Sequence, residues 1–472
     1  MTDTPGSTAT AAHEVPRADL SEVIKAYDVR GVVGEQIDAS LVRELGAALA
    51  RLLRTESAET GVVVVGHDMR PSSPELVDAF ADGVAAHGLD VVNIGLASTD
   101  MLYFASGALD VPGAMFTASH NPAKYNGIKL CRAGAAPIGA DTGLATIREA
   151  VEQGVPAPAP GTVPGTVEKR DMLLDYAAYL CGLVDLSTSR PLRVVVDAGN
   201  GMAGHTVPEV FAGLPLEVVP LYFELDGTFP NHEANPLDPA NLVDLQKAVV
   251  AEGADIGLAF DGDADRCFVI DERGEPVSPS AITGLVAVRE LAKSPGSSVI
   301  HNLITSHAVP EIVTEHGGTP MRTRVGHSYI KQVMAETGAV FGGEHSAHYY
   351  FRDFWRADSG LLAALHVLAA LGESDGPLSV LMADYERYCA SGEVNSTVAD
   401  ARGKIAEIKE RYGTRAGVTT DELDGLTVAL PDGSWFNLRP SNTEPLLRLN
   451  VEAADAERMA GLRDEVLAAV RA

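Results

Sequence analysis

Basic residues are scarce: 36 lysines and arginines stand against 65 aspartates and glutamates, a formal net charge of −29. Such a surface repels a nucleic-acid backbone and an anionic membrane, so neither is expected as a partner. Cysteine is scarcer still, with four in 472 residues. Cys131, Cys181, Cys267 and Cys389 include no close pair to clamp a metal or form a redox motif. Reduced thiols and a cytoplasmic location are the expectation. Long apolar runs are missing too. The longest helical one, residues 361–371, is too short for a bilayer and reads as a buried core helix. Residues 1–20 lack the basic start and apolar centre of a secretory signal and read as a disordered polar tail. The Asn-Ser-Thr sequon at 395–397 carries no weight without secretion.

Hydrophobic residues make up 46% and charged residues 21%, the balance of a globular protein. Three times the chain alternates apolar strand runs with amphipathic helix patterns, as α/β domains do. The strand runs are VVVVGHD at 62–68, RVVVDAGNG at 193–201 and SVIHNLITS at 298–306. The Pro- and Gly-rich segment 154–165 reads as a surface linker. The last stretch differs, with a hairpin pattern over 426–438 turning at Asp432-Gly433, a strand at 446–453 and a helix at 456–470. The chain divides into a tail (1–20), α/β regions at 21–160, 161–275 and 276–388, and a smaller α+β region at 389–472.

Polar clusters follow the apolar strands, where open α/β sheets bind ligands. FDGDADR places Asp261, Asp263 and Asp265 at alternate positions on a loop, where three carboxylates can converge on one hard cation. The segment nearly spells an EF-hand loop, but Arg266 stands where that loop needs glycine. An aspartate-nucleophile phosphatase would also put Asp-x-Asp after a strand; the third aspartate and the arginine fit a metal cage better. TASHNP at 117–122, continuing to Lys129, gathers a hydroxyl, an imidazole, an amide and an ammonium. Ser119 is a candidate nucleophile or phosphate carrier, His120 a proton or phosphate partner and Lys129 a charge stabiliser. The plain alternative for Ser119 is a turn residue. GGEHSAH at 342–348 offers Glu344 and Ser346 to sugar hydroxyls and His348 to a proton. RPSNTEP at 439–445 offers a guanidinium, two hydroxyls and an amide to a phosphate monoester.

In this order the four clusters resemble the signature segments of the phosphohexomutase family, the α-D-phosphohexomutases. YDVRG at 27–31 and PNHEANPLDP at 230–239 are similar to further family segments, and the resemblance spans residue 27 to about 451. It implies three α/β domains with mixed sheets plus a smaller C-terminal α+β domain around a central active-site cleft. It further implies that Ser119 carries a phosphoryl group. One Mg²⁺ per chain would be held by Asp261, Asp263, Asp265 and a phosphate oxygen on Ser119. Glu344 and Ser346 would read the sugar, and Arg439, Ser441, Asn442 and Thr443 would grip the non-reacting phosphate. Tyr27, Arg30, Gly326 and His327 would join the substrate-binding set, and His120, Lys129, Arg266 and His348 the catalytic one. His120, His348 and Lys129 all remain open as the proton carrier.

The implied substrates are hexose phosphates, with hexose 1,6-bisphosphate as intermediate and activator, in a monomer or homodimer. GEHSAH is closer to the mannose/glucose branch than to the glucosamine branch, where glutamine typically follows the glutamate. His345 departs from the methionine of some mannose-specific members. Mannose phosphates are the expected substrates and glucose phosphates the second. The alternatives are a glucose- or glucosamine-phosphate mutase. A metal-dependent phosphatase and a non-catalytic phosphosugar-binding protein are the competing classes.

Overall fold

Four sheets, each fed by one stretch of sequence, make up the computed structural model, which describes residues 19–57, 59–440 and 446–472. The first sheet runs in the order Val29–Val32, Tyr125–Arg132, Gly113–Phe116, Val62–His67, Asp90–Leu96 and Val167–Lys169. Its centre is parallel, and Tyr125–Arg132 runs antiparallel to both of its neighbours. The valine run suits that centre, because β-branched side chains pack on both faces of a covered parallel sheet. Val63, Val64 and Val65 are fully buried.

The second sheet places Ile256–Phe260 between Leu192–Asp197, parallel, and Cys267–Asp271, antiparallel. The third is built on Ser298–Asn302, parallel to Thr319–Thr323 and to Phe341–Gly343, from which the chain turns back into Tyr349–Phe351. The fourth is wholly antiparallel, in the order Cys389–Thr397, Leu446–Ala453, Trp435–Pro440, Leu426–Ala429, Thr419–Asp421. Its hairpin turns at Gly433, whose φ of +87° suits glycine.

One apolar core is continuous through the first three sheets, while the fourth keeps its own around Tyr412, Phe436 and Val466. Helix Gly360–Glu373 lies within the shared core with 12 of its 14 residues buried, which makes it a central pillar rather than a surface helix. Beyond the segment 154–165 the first sheet gains one more strand. Thr166 donates twice to Asp90 Oδ1, at 2.6 and 2.8 Å, and Val167–Lys169 then pairs in parallel with Asp90–Leu96. A three-residue edge strand with two charged residues carries too little pattern to be read from sequence. Of the expected tail, residues 1–18 lie outside the described residues; Leu20 is buried, its N–H donating to Glu152 at 2.9 Å.

Three loops leave the carboxyl ends of inner strands: 117–122 after Gly113–Phe116, 261–266 after Ile256–Phe260, and 344–348 after Phe341–Gly343.

Candidate active site

Where strand Gly113–Phe116 ends, Thr117 Oγ1 accepts from the Ser119 N–H at 2.9 Å, and Ser119 sits at φ +49°. In that left-handed conformation its hydroxyl donates to Asp261 Oδ2 at 2.9 Å. The two loops touch at Gly262, where a Cβ would lie 2.4 Å from the Ser119 carbonyl oxygen, so only glycine admits this approach.

Asp261, Asp263 and Asp265 are buried, and one oxygen of each lies within 4.8 Å of the others. Arg266 Nε donates to Asp261 Oδ2 at 2.8 Å. Lys129 Nζ donates to Asp263 Oδ2 and Asp265 Oδ2, both at 2.7 Å, and the Thr99 hydroxyl donates to Asp263 Oδ2 at 2.6 Å. Three carboxylates therefore face two cations, and Asp263 Oδ1 and Asp265 Oδ1 are buried without a hydrogen-bond partner. Burial pushes the Asp261 carboxyl up to about 7 against the pull of Arg266. For Asp263 the effect of burial is outweighed by Lys129, and its carboxyl falls well below the usual range. All-oxygen donors, excess negative charge and two unengaged buried oxygens fit a hard divalent cation.

The same contacts fix where protons sit. Arg266 Nη2 donates to His120 Nδ1 at 2.7 Å, and a guanidinium can only donate, so this nitrogen is an acceptor and the ring is neutral. Burial, then Arg266, pushes His120 down to about 2. Ser119 Oγ lies 3.1 Å from that already engaged nitrogen. His348 Nδ1 lies 2.9 Å from Asp358 Oδ2 and 3.9 Å from Asp265 Oδ1. Burial would lower its proton affinity, but Asp265 and Asp358 raise it. Lys331 Nζ reaches Asp358 Oδ1 at 2.7 Å and stands 4.0 Å from the Tyr103 ring centre. Lys129 is held protonated by Asp263 and Asp265 in spite of burial.

Tyr27, Arg30, Ser119, His120, Lys129, Arg266 and His348 line one cavity of about 150 Å³. Arg30 Nη1 donates to Asn121 Oδ1 at 2.5 Å. Glu344 is buried beside the third sheet. Its Oε1 accepts from Asn302 Nδ2 at 3.1 Å and from the Gly326 N–H at 3.2 Å, and its Oε2 accepts from the Tyr350 hydroxyl at 2.7 Å. Ser346 is half-buried in the same turn, Gly326 has φ +133°, and His327 opens helix His327–Thr337. Arg439 borders a second cavity of about 600 Å³ that shares Tyr27 with the first. Its guanidinium lies 3.6 Å from Glu393 and 3.8 Å from Asp424, and its Nε is buried without a partner. Ser441, Asn442 and Thr443 lie outside the described residues.

Thr99, Asn302, Tyr350, Asp358 and Lys331 belong to this cluster without forming any motif. The rule of polar residues at strand ends reaches Thr99 and Asn302; nothing in the sequence marks the other three.

Family models described as phosphoglucomutase/phosphomannomutase, alpha/beta/alpha domains I, II and III, match residues 21–156, 174–274 and 278–388. The model of the C-terminal domain in the same series matches residues 393–469. An Escherichia coli protein named phosphomannomutase is 41% identical over 457 residues, 95% of this chain and 98% of that one. Proteins named phosphohexose mutases in Xanthomonas campestris include one 43% identical over 431 residues, 91% of this chain and 94% of that one. Among solved structures, a phosphoglucomutase/phosphomannomutase family protein from Burkholderia thailandensis superposes with a TM-score of 0.85 at 33% identity, covering 95% of this chain and 97% of its own. The open form of pp63/parafusin, a phosphoglucomutase from Paramecium, superposes with a TM-score of 0.83 over 97% of this chain and 95% of its own. At 19% identity that is a likeness of fold alone.

Proposed function

Because the chain belongs to the phosphoglucomutase/phosphomannomutase family, we propose that it interconverts mannose 1-phosphate and mannose 6-phosphate through a phosphorylated Ser119, with glucose phosphates as second substrates. Membership makes it a phosphohexomutase, an isomerase acting by intramolecular phosphoryl transfer. The observation that carries the Ser119 reading is its hydroxyl, 2.9 Å from Asp261, beside a buried all-oxygen site. Mannose is favoured by the name phosphomannomutase on relatives 37–41% identical to this chain.

In the first half-reaction the P–Oγ bond of phosphorylated Ser119 breaks as a hydroxyl oxygen of the hexose monophosphate bonds to phosphorus, giving a hexose 1,6-bisphosphate. The bisphosphate turns over within the cleft, and its other phosphoryl group returns to Ser119 Oγ. The same bisphosphate activates the enzyme, loading an unphosphorylated Ser119 and leaving as a monophosphate. Asp261, Asp263 and Asp265 would hold Mg²⁺, which would neutralise charge on the transferring group. Lys129 and Arg266 add fixed positive charge on the same side. His120, neutral and occupied at Nδ1 by Arg266, is a poor proton carrier. His348, tied at Nδ1 to Asp358, keeps Nε2 for the substrate hydroxyl proton.

Glu344 and Ser346 would read the sugar hydroxyls, with Tyr27, Arg30, Gly326 and His327 on the walls. Arg439, with Ser441, Asn442 and Thr443, would hold the phosphate that is not reacting. One clamp and one hydroxyl reader serve both half-reactions because the sugar presents either end in the same pose. Every group invoked comes from one chain, so a monomer or a homodimer is equally competent. Four unpaired cysteines support a cytoplasmic setting, and no helix among the described residues is long and apolar enough to cross a membrane.

The test is kcat/KM for mannose 1-phosphate, glucose 1-phosphate and glucosamine 1-phosphate, with Mg²⁺ and a trace of hexose 1,6-bisphosphate. Conversion of the mannose substrate at least as fast as the glucose one is expected. A preference for glucose or glucosamine by about 100-fold moves the substrate and leaves the mutase chemistry intact. Free phosphate without any 6-phosphate product overturns the mutase reading.

A further inference from the structure

Three residues beyond strand Val62–His67, an arginine outside every one of the sequence motifs is completely buried. Arg70 has five N–H donors, and each meets an acceptor. Its Nη2 donates to the carbonyl oxygens of Ser119 at 2.9 Å and Asn121 at 2.6 Å. Its Nη1 donates to those of Pro122 and Tyr125, both at 3.0 Å. The fifth donor, Nε, meets Asp68 Oδ2 at 3.1 Å. Four of the five bonds thus end on backbone carbonyls from Ser119 to Tyr125, across the loop 117–122 and onto the first residue of the strand that follows it.

The guanidinium is itself held from two sides. Asp68, also buried, accepts the Arg70 N–H at 3.0 Å and the Ser73 hydroxyl at 2.7 Å on its other oxygen. From the second domain the Phe229 ring lies 5.2 Å from the Arg70 guanidinium carbon. The chain around Phe229 is pressed close, since a Cβ on Gly227 would lie 2.7 Å from Arg70 Cα. The Arg70 side chain is itself buried, where charge-assisted hydrogen bonds are stronger than in water.

What these bonds hold is a strained place. Ser119 at φ +49° occupies a region that residues other than glycine visit rarely, and such a conformation persists only where its surroundings over-determine it. We infer that Arg70 is the positioning residue for phosphoryl transfer, gathering the loop carbonyls so that Ser119 Oγ stays aimed at Asp261 and the incoming hydroxyl. Arg70 touches no substrate; it acts through the loop backbone. The inference rests on Ser119 being the phosphoryl carrier.

Arg70→Lys tests it, because lysine keeps the charge but carries its three donors on one atom and cannot span four carbonyls. Expected, per mole of folded enzyme, is a loss of about 10- to 100-fold in kcat with KM for the hexose phosphate nearly unchanged, the signature of a misplaced reacting group. Transfer of phosphoryl from hexose 1,6-bisphosphate onto unphosphorylated enzyme should slow by the same factor. A lowered thermal midpoint with undiminished kcat would reduce Arg70 to a structural role. Should Arg70→Lys fail to fold, Phe229→Leu removes the ring that seats the guanidinium on its second side; a loosened guanidinium grips the carbonyls less firmly, so kcat should fall roughly threefold, the factor corresponding to one cation–π contact, with KM held. An unchanged kcat in that variant overturns the inference. Ser119→Ala is measured alongside. If it still turns over, the carrier reading fails first; if it is dead while Arg70→Lys runs at the wild-type rate, the positioning inference alone fails.

Discussion

The ammonium of Lys129 lies 2.7 Å from a carboxylate oxygen of Asp263, a pair that joins a strand of the first sheet to a loop of the second. A second bond of equal length to Asp265 makes Lys129 a bridge between two members of the acidic triad. It engages Oδ2 of each and leaves both Oδ1 atoms unpaired. Lys129 therefore does two things that pull in opposite directions: it offsets the negative charge needed to hold a cation, and it supplies positive charge beside Ser119.

Lys129→Met should separate these effects. With the ammonium gone, the triad regains a full unit of uncompensated charge, so half-activation should need less Mg²⁺. Turnover should still fall by about 100-fold or more, because positive charge at the transferring group is lost. Titrating activity against Mg²⁺ yields both numbers. A weaker demand for Mg²⁺ with unchanged kcat would confine Lys129 to managing the triad's charge.

Asp263→Asn addresses the cation site without relying on turnover. A ligand that binds only the folded state raises its thermal midpoint, so Mg²⁺ should stabilise the wild type against a chelated control. In the variant that rise should shrink, with half-saturation shifted upward by roughly tenfold, since the charge on the ligands sets affinity for hard cations. Equal stabilisation of both proteins would place the ion elsewhere.

Legibility from sequence divides along the same line as these two variants. The triad is a run of alternate positions after an apolar strand, and Ser119 to Lys129 is one strand-turn-strand, so each reads as a local pattern. Thr99 reaches Asp263 from 164 positions away, and Arg70 reaches the Ser119 carbonyl from 49. The first depends on how two domains dock and the second on how one domain folds back on itself, and no local period encodes either. The protonation state of His120 is hidden for the same reason: the Arg266 donor that fixes it comes from another domain. Short edge strands fail differently, since Val167–Lys169 has too few residues to show alternation.

Glu344→Gln tests sugar reading. Three donors point at the Glu344 carboxylate, and a glutamine oxygen can keep the two at Oε1 while the Tyr350 hydroxyl turns to accept. The fold should tolerate the change, with the thermal midpoint barely moved. Acceptors for sugar hydroxyls are weakened, so kcat/KM should fall by about 10- to 100-fold, the worth of one or two charged hydrogen bonds. Glucose and mannose 1-phosphates should lose equally if Glu344 reads hydroxyls the two share; an effect on one sugar alone would assign it to the C2 position.

Asp100 supplies the pH dependence. It is fully buried, and three hydroxyls converge on it: Ser98, Tyr176 at 2.6 Å and Ser359 at 2.6 Å. Burial pushes its carboxyl up to about 6, against the pull of those hydroxyls. An acid whose folded pKa is raised contributes stability that is complete below its unfolded value, near 3.8, and lost as pH rises through about 6. The span corresponds to about 3 kcal/mol at most. An asparagine at this position does not titrate, so the stability gap between wild type and Asp100→Asn should narrow from about pH 4 to 6 and stay flat above about 7. Denaturant midpoints across that range measure it, and a gap independent of pH would mean that Asp100 keeps ordinary acidity. The consequence reaches the active site through the adjacent Thr99, whose backbone N–H and hydroxyl both bond Asp263. Of its three hydroxyl partners Ser98 caps the same helix, while Tyr176 and Ser359 come from the neighbouring domains and tie the start of helix Thr99–Leu109 to them, so titration of Asp100 acts on the contact that seats Thr99 beside the triad.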